Sequence, residues 1–294
     1  GNFGVAVAYG SLTESPQGTA SLINGVYGDI NVTAATGDGG YSYAYGAIVN
    51  GYTGAYATHD GDIDVSATSG YNGISQAYGL IVFSGNGSVS VYGSGDTSAY
   101  AFTGDFGDAL ARGVTAVSPY GNADVTSGGY VDATAIAGYG GYAEASGIQS
   151  LAYDGSATLD NTGSIIASAT AGYQAFATGA EVFGYYDASA SGTGDISADA
   201  TAFDYSGLAV ALGLGVNAQN GYASLDIGGS VDASALATGD FAAAIADGVV
   251  VDGETGVLAY SSTDVTASAI SGYGGYSSAS GFDLYAYNGS EPGN

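Results

Sequence analysis

The stretch Gly28-Asp-Ile-Asn-Val-Thr-Ala-Ala-Thr-Gly37 returns along the chain from Gly61, Gly95, Gly129, Gly163, Gly194, Gly229 and Thr263, at spacings of 33, 34, 34, 34, 31, 35 and 34 residues. Inside it, apolar or small residues alternate with polar ones, which is the period of a strand. The third position reads Ile30, Ile63, Thr97, Val131, Ile165, Ile196, Val231 and Val265. Four residues later stand Ala34, Ala67, Ala101, Ala135, Ala169, Ala200, Ala235 and Ala269 without exception. One face of this strand therefore meets a space too narrow for a larger side chain. A fixed period of this length marks an architecture in which each copy buries its apolar face against the next.

Two further blocks complete the copy. The second reads small-x-Ala-x-Gly-apolar-x-apolar, as in Ala143-Glu-Ala-Ser-Gly-Ile-Gln-Ser150, with its glycine at Gly46, Gly79, Gly113, Gly147, Gly179, Gly213, Gly248 and Gly281. Small residues sit at even offsets before the glycine and apolar ones favour odd offsets after it, so the inward face changes parity there. A strand does this only through a bulge or corner, which glycine permits by positive φ or by close backbone approach. The third block is short and alternating, as in Gly87-Ser-Val-Ser-Val91 and Gly155-Ser-Ala-Thr-Leu159. Nothing shows sustained helical periodicity. The expectation is an all-β parallel β-solenoid, or β-helix, of about eight coils of about 34 residues, with three strand segments per coil and no helices. Eight coils stacked ~4.8 Å apart make a rod of roughly 40 Å.

As a single domain spanning 1-294, the solenoid divides into a partial N-terminal coil at 1-27, seven full coils at 28-262 and a C-terminal coil at 263-294. The first copy lacks its first strand, since Val5-Ala-Val-Ala-Tyr-Gly10 matches the second block, and the last copy has a reduced third block at Gly289-Ser-Glu-Pro-Gly-Asn294. Neither end carries the polar or bulky cap that closes a solenoid. Either the sequence is cut from a longer solenoid, or its subunits stack end to end as a non-closing filament.

Composition removes several functions. The 294 residues include 28 Asp plus Glu against one Lys plus Arg, for a formal net charge of −27. That balance excludes an electrostatic footprint on nucleic acid or an anionic membrane. With no Cys and one His, there is no disulfide framework, zinc finger or cysteine nucleophile. No apolar run reaches the ~20 residues of a spanning helix.

The acidic residues fall in columns: Asp29, Asp62, Asp96, Asp195 and Asp264 in one, Asp64, Asp132 and Asp232 two residues further on. These alternate with the inward positions, so they face outward and stack between coils. Two carboxylates ~4.8 Å apart repel by about 1 kcal/mol in water. Asp60, Asp62 and Asp64 are the best candidates for a Ca2+ site, because that ion takes oxygen ligands only. The competing reading is a solvated acidic face. Tyr139, Tyr142, Tyr173, Tyr273 and Tyr276 fall at the first turn, with Phe106 and Phe241 nearby, and suit mutual stacking or a polysaccharide partner. His59 is expected in a surface turn, and Arg112 is expected to pair with an acid such as Asp108.

The copies Asn161-Thr-Gly-Ser-Ile-Ile-Ala-Ser-Ala-Thr-Ala-Gly172 and Gly194-Asp-Ile-Ser-Ala-Asp-Ala-Thr-Ala202 resemble the repeats of bacterial exoproteins of the autotransporter passenger and filamentous haemagglutinin-like adhesin type. The resemblance implies a right-handed parallel β-helix, export to the cell surface, and adhesive or matrix roles. The reading that follows is a secreted, non-enzymatic subunit of an extracellular filament whose partner is itself. A cell-surface adhesin binding glycans or host molecules is the alternative, and a polysaccharide-active enzyme a distant third.

Overall fold

A computed structural model describes residues 3–287. Its described residues contain strands and no helix, beginning with β1 (Val5–Ser15), β2 (Thr19–Asn24), β3 (Ile30–Ala35), β4 (Tyr41–Gly51) and β5 (Gly54–His59). The β3-β4-β5 triplet then recurs from β6 (Ile63–Thr68) to β23 (Gly256–Ser261), followed by β24 (Val265–Ser271) and β25 (Tyr276–Ala286). Every third strand joins the same parallel sheet. A nine-stranded sheet runs from β1 to β25, an eight-stranded one from β2 to β23, and another eight-stranded one from β3 to β24. The protein is thus a three-sided parallel β-solenoid of about eight turns. The reduced third block at 289–294 lies outside the described residues.

Register follows the repeat. Ala34 pairs with Ala67, and the ladder continues through Ala101, Ala135, Ala169, Ala200, Ala235 and Ala269. The interior is filled by this alanine ladder, by Ile63, Val131, Ile165 and Ile196 on the same sheet, and by Leu80, Ile148 and Leu214 just after the bends. A one-residue slip would turn every inward side chain out, so these columns fix the coil-on-coil register.

The bend glycines sit where the parity changes. In β7 (Ile74–Ser84), Gly79 and Leu80 are consecutive buried residues, with alternation intact on either side. The ladder to β10 (Asp108–Ser118) pairs Tyr78 with Arg112 and Leu80 with Val114 but omits the glycines between them. None of the eight has positive φ, so close approach alone demands glycine there. A Cβ on Gly79 would lie 2.6 Å from the carbonyl oxygen of Gly113 in the next coil. Positive φ is found instead at the first corner, at Phe3, Gly39, Asn72, Phe106, Gly140, Ser206, Phe241 and Gly274, and once elsewhere, at Gly192.

The 31-residue copy is explained by its corners. Paired positions Ile136 and Thr170 are followed by paired Tyr142 and Gln174, so the later first corner is two residues shorter. Paired Ala152 and Gly184 are followed by paired Ala157 and Ala188, which removes one residue more. The strands keep their lengths and the corners absorb the difference.

Candidate functional site

The acidic columns hold the coils together. Each turn residue with an Asp, Asn or Ser side chain can accept a backbone N–H from the coil that follows, and many do. Asp62 N–H donates to Asp29 Oδ1 at 3.3 Å, Asp96 N–H to Asp62 Oδ1 at 3.2 Å, Tyr130 N–H to Asp96 Oδ1 at 2.8 Å and Ser230 N–H to Asp195 Oδ1 at 2.8 Å. At the first corner Tyr71 N–H donates to Asp38 and Tyr139 N–H to Asp105, both at 2.9 Å. At the second corner Ser156 N–H donates to Asn122 at 3.0 Å and Tyr222 N–H to Asp187 at 3.0 Å. All run forward, from the carboxylate or amide of one coil to the amide of the next. Other corner N–H groups donate to a backbone carbonyl of a neighbouring coil, as Gly104 does to Gly70, whereas the N–H groups named here would depend on water without the side-chain acceptor.

This arrangement separates the proposed calcium ligands. Asp60 accepts from Ser94 Oγ at 2.7 Å and Asp62 accepts from Asp96 N–H. Asp64 stands in register with Asn31 and Ser98 rather than with another acid. Among the described residues, no group of three or more Asp, Glu, His or Cys is gathered as a metal would require.

His59 departs from expectation. It ends β5 rather than lying in a turn, and its side chain points inward, 2% exposed. The imidazole Nε2 is 2.9 Å from Thr97 Oγ1, while Nδ1 is buried without a partner. Burial pushes its pKa down, against the opposing pull of Asp62 and Asp60. The ring has room because its neighbour in the next coil is Gly93, where a Cβ would lie 3.3 Å from His59 Cδ2. Alternation through Ala55 and Ala57 to His59 carried the signal of an inward position.

Arg112 pairs with Glu144 of the following coil at 3.3 Å rather than with Asp108. Register sets Arg112 opposite Ser146, so Glu144 is its diagonal neighbour on the next strand, whereas Asp108 lies four residues away along the same strand. The Tyr142 hydroxyl donates to the other Glu144 oxygen at 2.8 Å, and the Arg112 guanidinium lies 6.0 Å from the centre of the Tyr78 ring. Burial and the bond to Glu144 push the Tyr142 hydroxyl pKa strongly up.

Asp204 was not singled out by sequence. It reaches across the shortened Gly172-Tyr173 corner, and Gly140 N–H, two coils back, donates to its Oδ2 at 2.6 Å. The carboxylate is buried, with Oδ1 unpartnered. It fills the space that two missing corner residues leave open.

The aromatic columns stack in part as expected. Tyr71, Phe106 and Tyr139 form an edge-to-face run at 5.7 and 5.8 Å, and Tyr205 meets Phe241 at 5.6 Å. Tyr142 and Tyr276 open strands β13 (Tyr142–Ala152) and β25 instead of lying in the corner. A parallel stack of Tyr9, Tyr45 and Tyr78, at 5.0 and 5.1 Å, lies on the outside of the long-strand sheet.

The two end coils of the described structure are open. Phe282 and Leu284 occupy the columns that hold buried Leu80 and Val82 further in, yet are 41% and 52% exposed. The bend column is equally informative. For Gly10, Gly46, Gly79, Gly113, Gly147, Gly179, Gly213 and Gly248, a Cβ would lie 2.5 to 2.7 Å from the carbonyl oxygen of the glycine one coil on. For Gly281 the nearest atom is Val265 O at 3.7 Å. Among the described residues, no N–H donates to Asp264, which stands in the column of forward acceptors. No protein-family model, curated protein or solved structure matches the chain.

Proposed function

We propose that the protein is a structural rod, the subunit of an extracellular filament in which the open β25 end of one copy stacks on the open β1 end of the next. The observation that carries this reading is Gly281. It obeys a rule that every other bend glycine obeys because a carbonyl of the following coil crowds it, and among the described residues no carbonyl crowds Gly281. Exposed Phe282 and Leu284 and the unused acceptor Asp264 agree with a following coil at the same place. Unpaired parallel edges are templates for another chain, and a head-to-tail contact that does not close makes a filament.

Electron microscopy of the purified chain, alone and with calcium, tests the reading together with Gly281→Ala. The wild type is expected to form filaments much longer than one rod of about 40 Å. Gly281→Ala is expected to melt like the wild type at low concentration, since its methyl enters open space, and to remain as short rods. Dispersed short rods of the wild type at high concentration, or filaments indifferent to the substitution, would refute the proposal. A cell-surface adhesin is the second reading, favoured by tyrosines such as Tyr139, Tyr173 and Tyr273 exposed along one corner.

A further inference from the structure

The outer face of the long-strand sheet carries a groove of about 400 Å³ that the stacking reading does not use. Its lining comes from three successive coils: Ile74 and Gln76 of β7, Asp108 and Leu110 of β10, Tyr142 and Glu144 of β13. Register places Ile74, Asp108 and Tyr142 in one column and Gln76, Leu110 and Glu144 in the next. Apolar and polar groups therefore alternate in both directions, at the ~4.8 Å interval of the strands along the rod. Three apolar patches zigzag between three hydrogen-bonding groups.

The polar groups are held in place beforehand. Glu144 is fixed through one oxygen by Arg112 and through the other by the Tyr142 hydroxyl, which in turn fixes the tyrosine ring. Gln76 accepts the Tyr78 hydroxyl on Oε1 at 3.1 Å, with its NH2 as the remaining donor. Asp108 is exposed, and among the described residues its carboxylate accepts no hydrogen bond. A concave, largely apolar site with a few positioned donors and acceptors is the usual form of a small-ligand site.

We infer that this groove binds a neutral oligosaccharide lying along the rod axis. A sugar ring offers apolar C–H faces for Ile74, Leu110 and Tyr142, and hydroxyls that both donate and accept, matching Asp108 and the Gln76 amide. The charge of −27 repels anionic glycans. Arg112 offsets Glu144 and leaves Asp108 as the one uncompensated acid of the groove, a single charge that does not by itself select a polycation over a neutral chain.

Isothermal titration with cellohexaose, xylohexaose, maltohexaose and mannohexaose, at 50 and 500 mM NaCl, tests this, with spermine and oligogalacturonate as charged controls. At least one neutral hexasaccharide is expected to bind with affinity changing less than twofold between the salts. Asp108→Ala, an exposed change that leaves the fold in place, and Tyr142→Ala should each weaken it tenfold or more, while Asp154→Ala at the second corner should not. No binding by any neutral sugar overturns the inference, as does binding indifferent to Asp108→Ala. Binding of spermine alone, lost at high salt, identifies a cation surface and overturns it as well. The result is independent of filament formation, which the Gly281→Ala experiment decides.

Discussion

Replacing Gly79 by alanine puts a methyl group 2.6 Å from the carbonyl oxygen of Gly113, and also against Thr97 Cγ2. Ordinary contact begins near 3.4 Å, so that carbonyl must retreat by about 0.8 Å from a neighbour that the sheet holds at ~4.8 Å. The obstructing atom is backbone and cannot rotate away. Overpacking of this kind costs about 1 to 3 kcal/mol. Gly215→Ala is the control within the same sheet. Its methyl meets only Leu212 Cδ2 at 3.3 Å, the end of a flexible side chain, and its φ is not positive. Loss of unfolded-state freedom then stabilises by about 0.4 to 1 kcal/mol. For a chain this long, 1 kcal/mol moves the Tm by roughly 2 °C. Circular-dichroism melts at one protein concentration should therefore show Gly79→Ala lower by about 2 to 6 °C and Gly215→Ala unchanged or slightly higher. Because each coil touches only its neighbours, amide exchange should accelerate first in β7 and β10. A Gly79→Ala protein that melts at or above the wild type would refute close approach as the reason for the glycine column.

His59 gives the chain a pH dependence of known sign. Its folded pKa lies below the unfolded value of about 6.5, so the contribution of the neutral ring is complete above that value. It is lost as pH falls from there toward the folded pKa, at up to about 1.4 kcal/mol per unit. His59→Asn, which places in that column the residue already present as Asn24 and Asn161, should flatten urea-denaturation stability between pH 7.5 and 5; an unchanged slope refutes the assignment. For the acids, Asp62→Ala should cost about 0.5 to 1.5 kcal/mol, because Asp96 N–H loses its acceptor, while Asp62→Asn retains most of the stability. Melts with calcium and with a chelator should coincide, because Asp60, Asp62 and Asp64 are not gathered around one point, and a clear downward shift on chelation would favour the calcium site.

The fold was readable because a solenoid writes each structural requirement many times over. One strand with alanine at position 34 says little, whereas eight alanines at one offset fix a face, a register and a narrow interior. The parity change at the glycines was likewise visible. Its cause was not, since close approach concerns an atom about 34 residues away and leaves no local mark to separate it from positive φ. The contacts of the acids were not legible for a related reason. Sequence gives the outward direction of Asp29, Asp62 and Asp96, but an outward carboxylate that bends forward onto the next amide looks the same as a solvated one. Single events were least legible. Arg112 finds Glu144 only once coils are laid in register, and Asp204 matters only because the corner at Gly172 is short.

The two kinds of residue that define the coil share a direction. Asp29, Asp62, Asp96 and Asp195 each accept from the coil that follows, and each bend glycine from Gly10 to Gly248 yields to the carbonyl that follows. The sequence of one coil is therefore constrained by the next one toward β25. A contact between two β25 ends would set acceptor against acceptor, with Asp264 facing its own copy and like charges repelling. A β25 end on a β1 end instead offers the carbonyl of Gly10 to Gly281 and free strand amides to the waiting acceptors. The filament we propose is for this reason polar and unidirectional, and growth by addition at either end continues one ladder rather than creating a new interface.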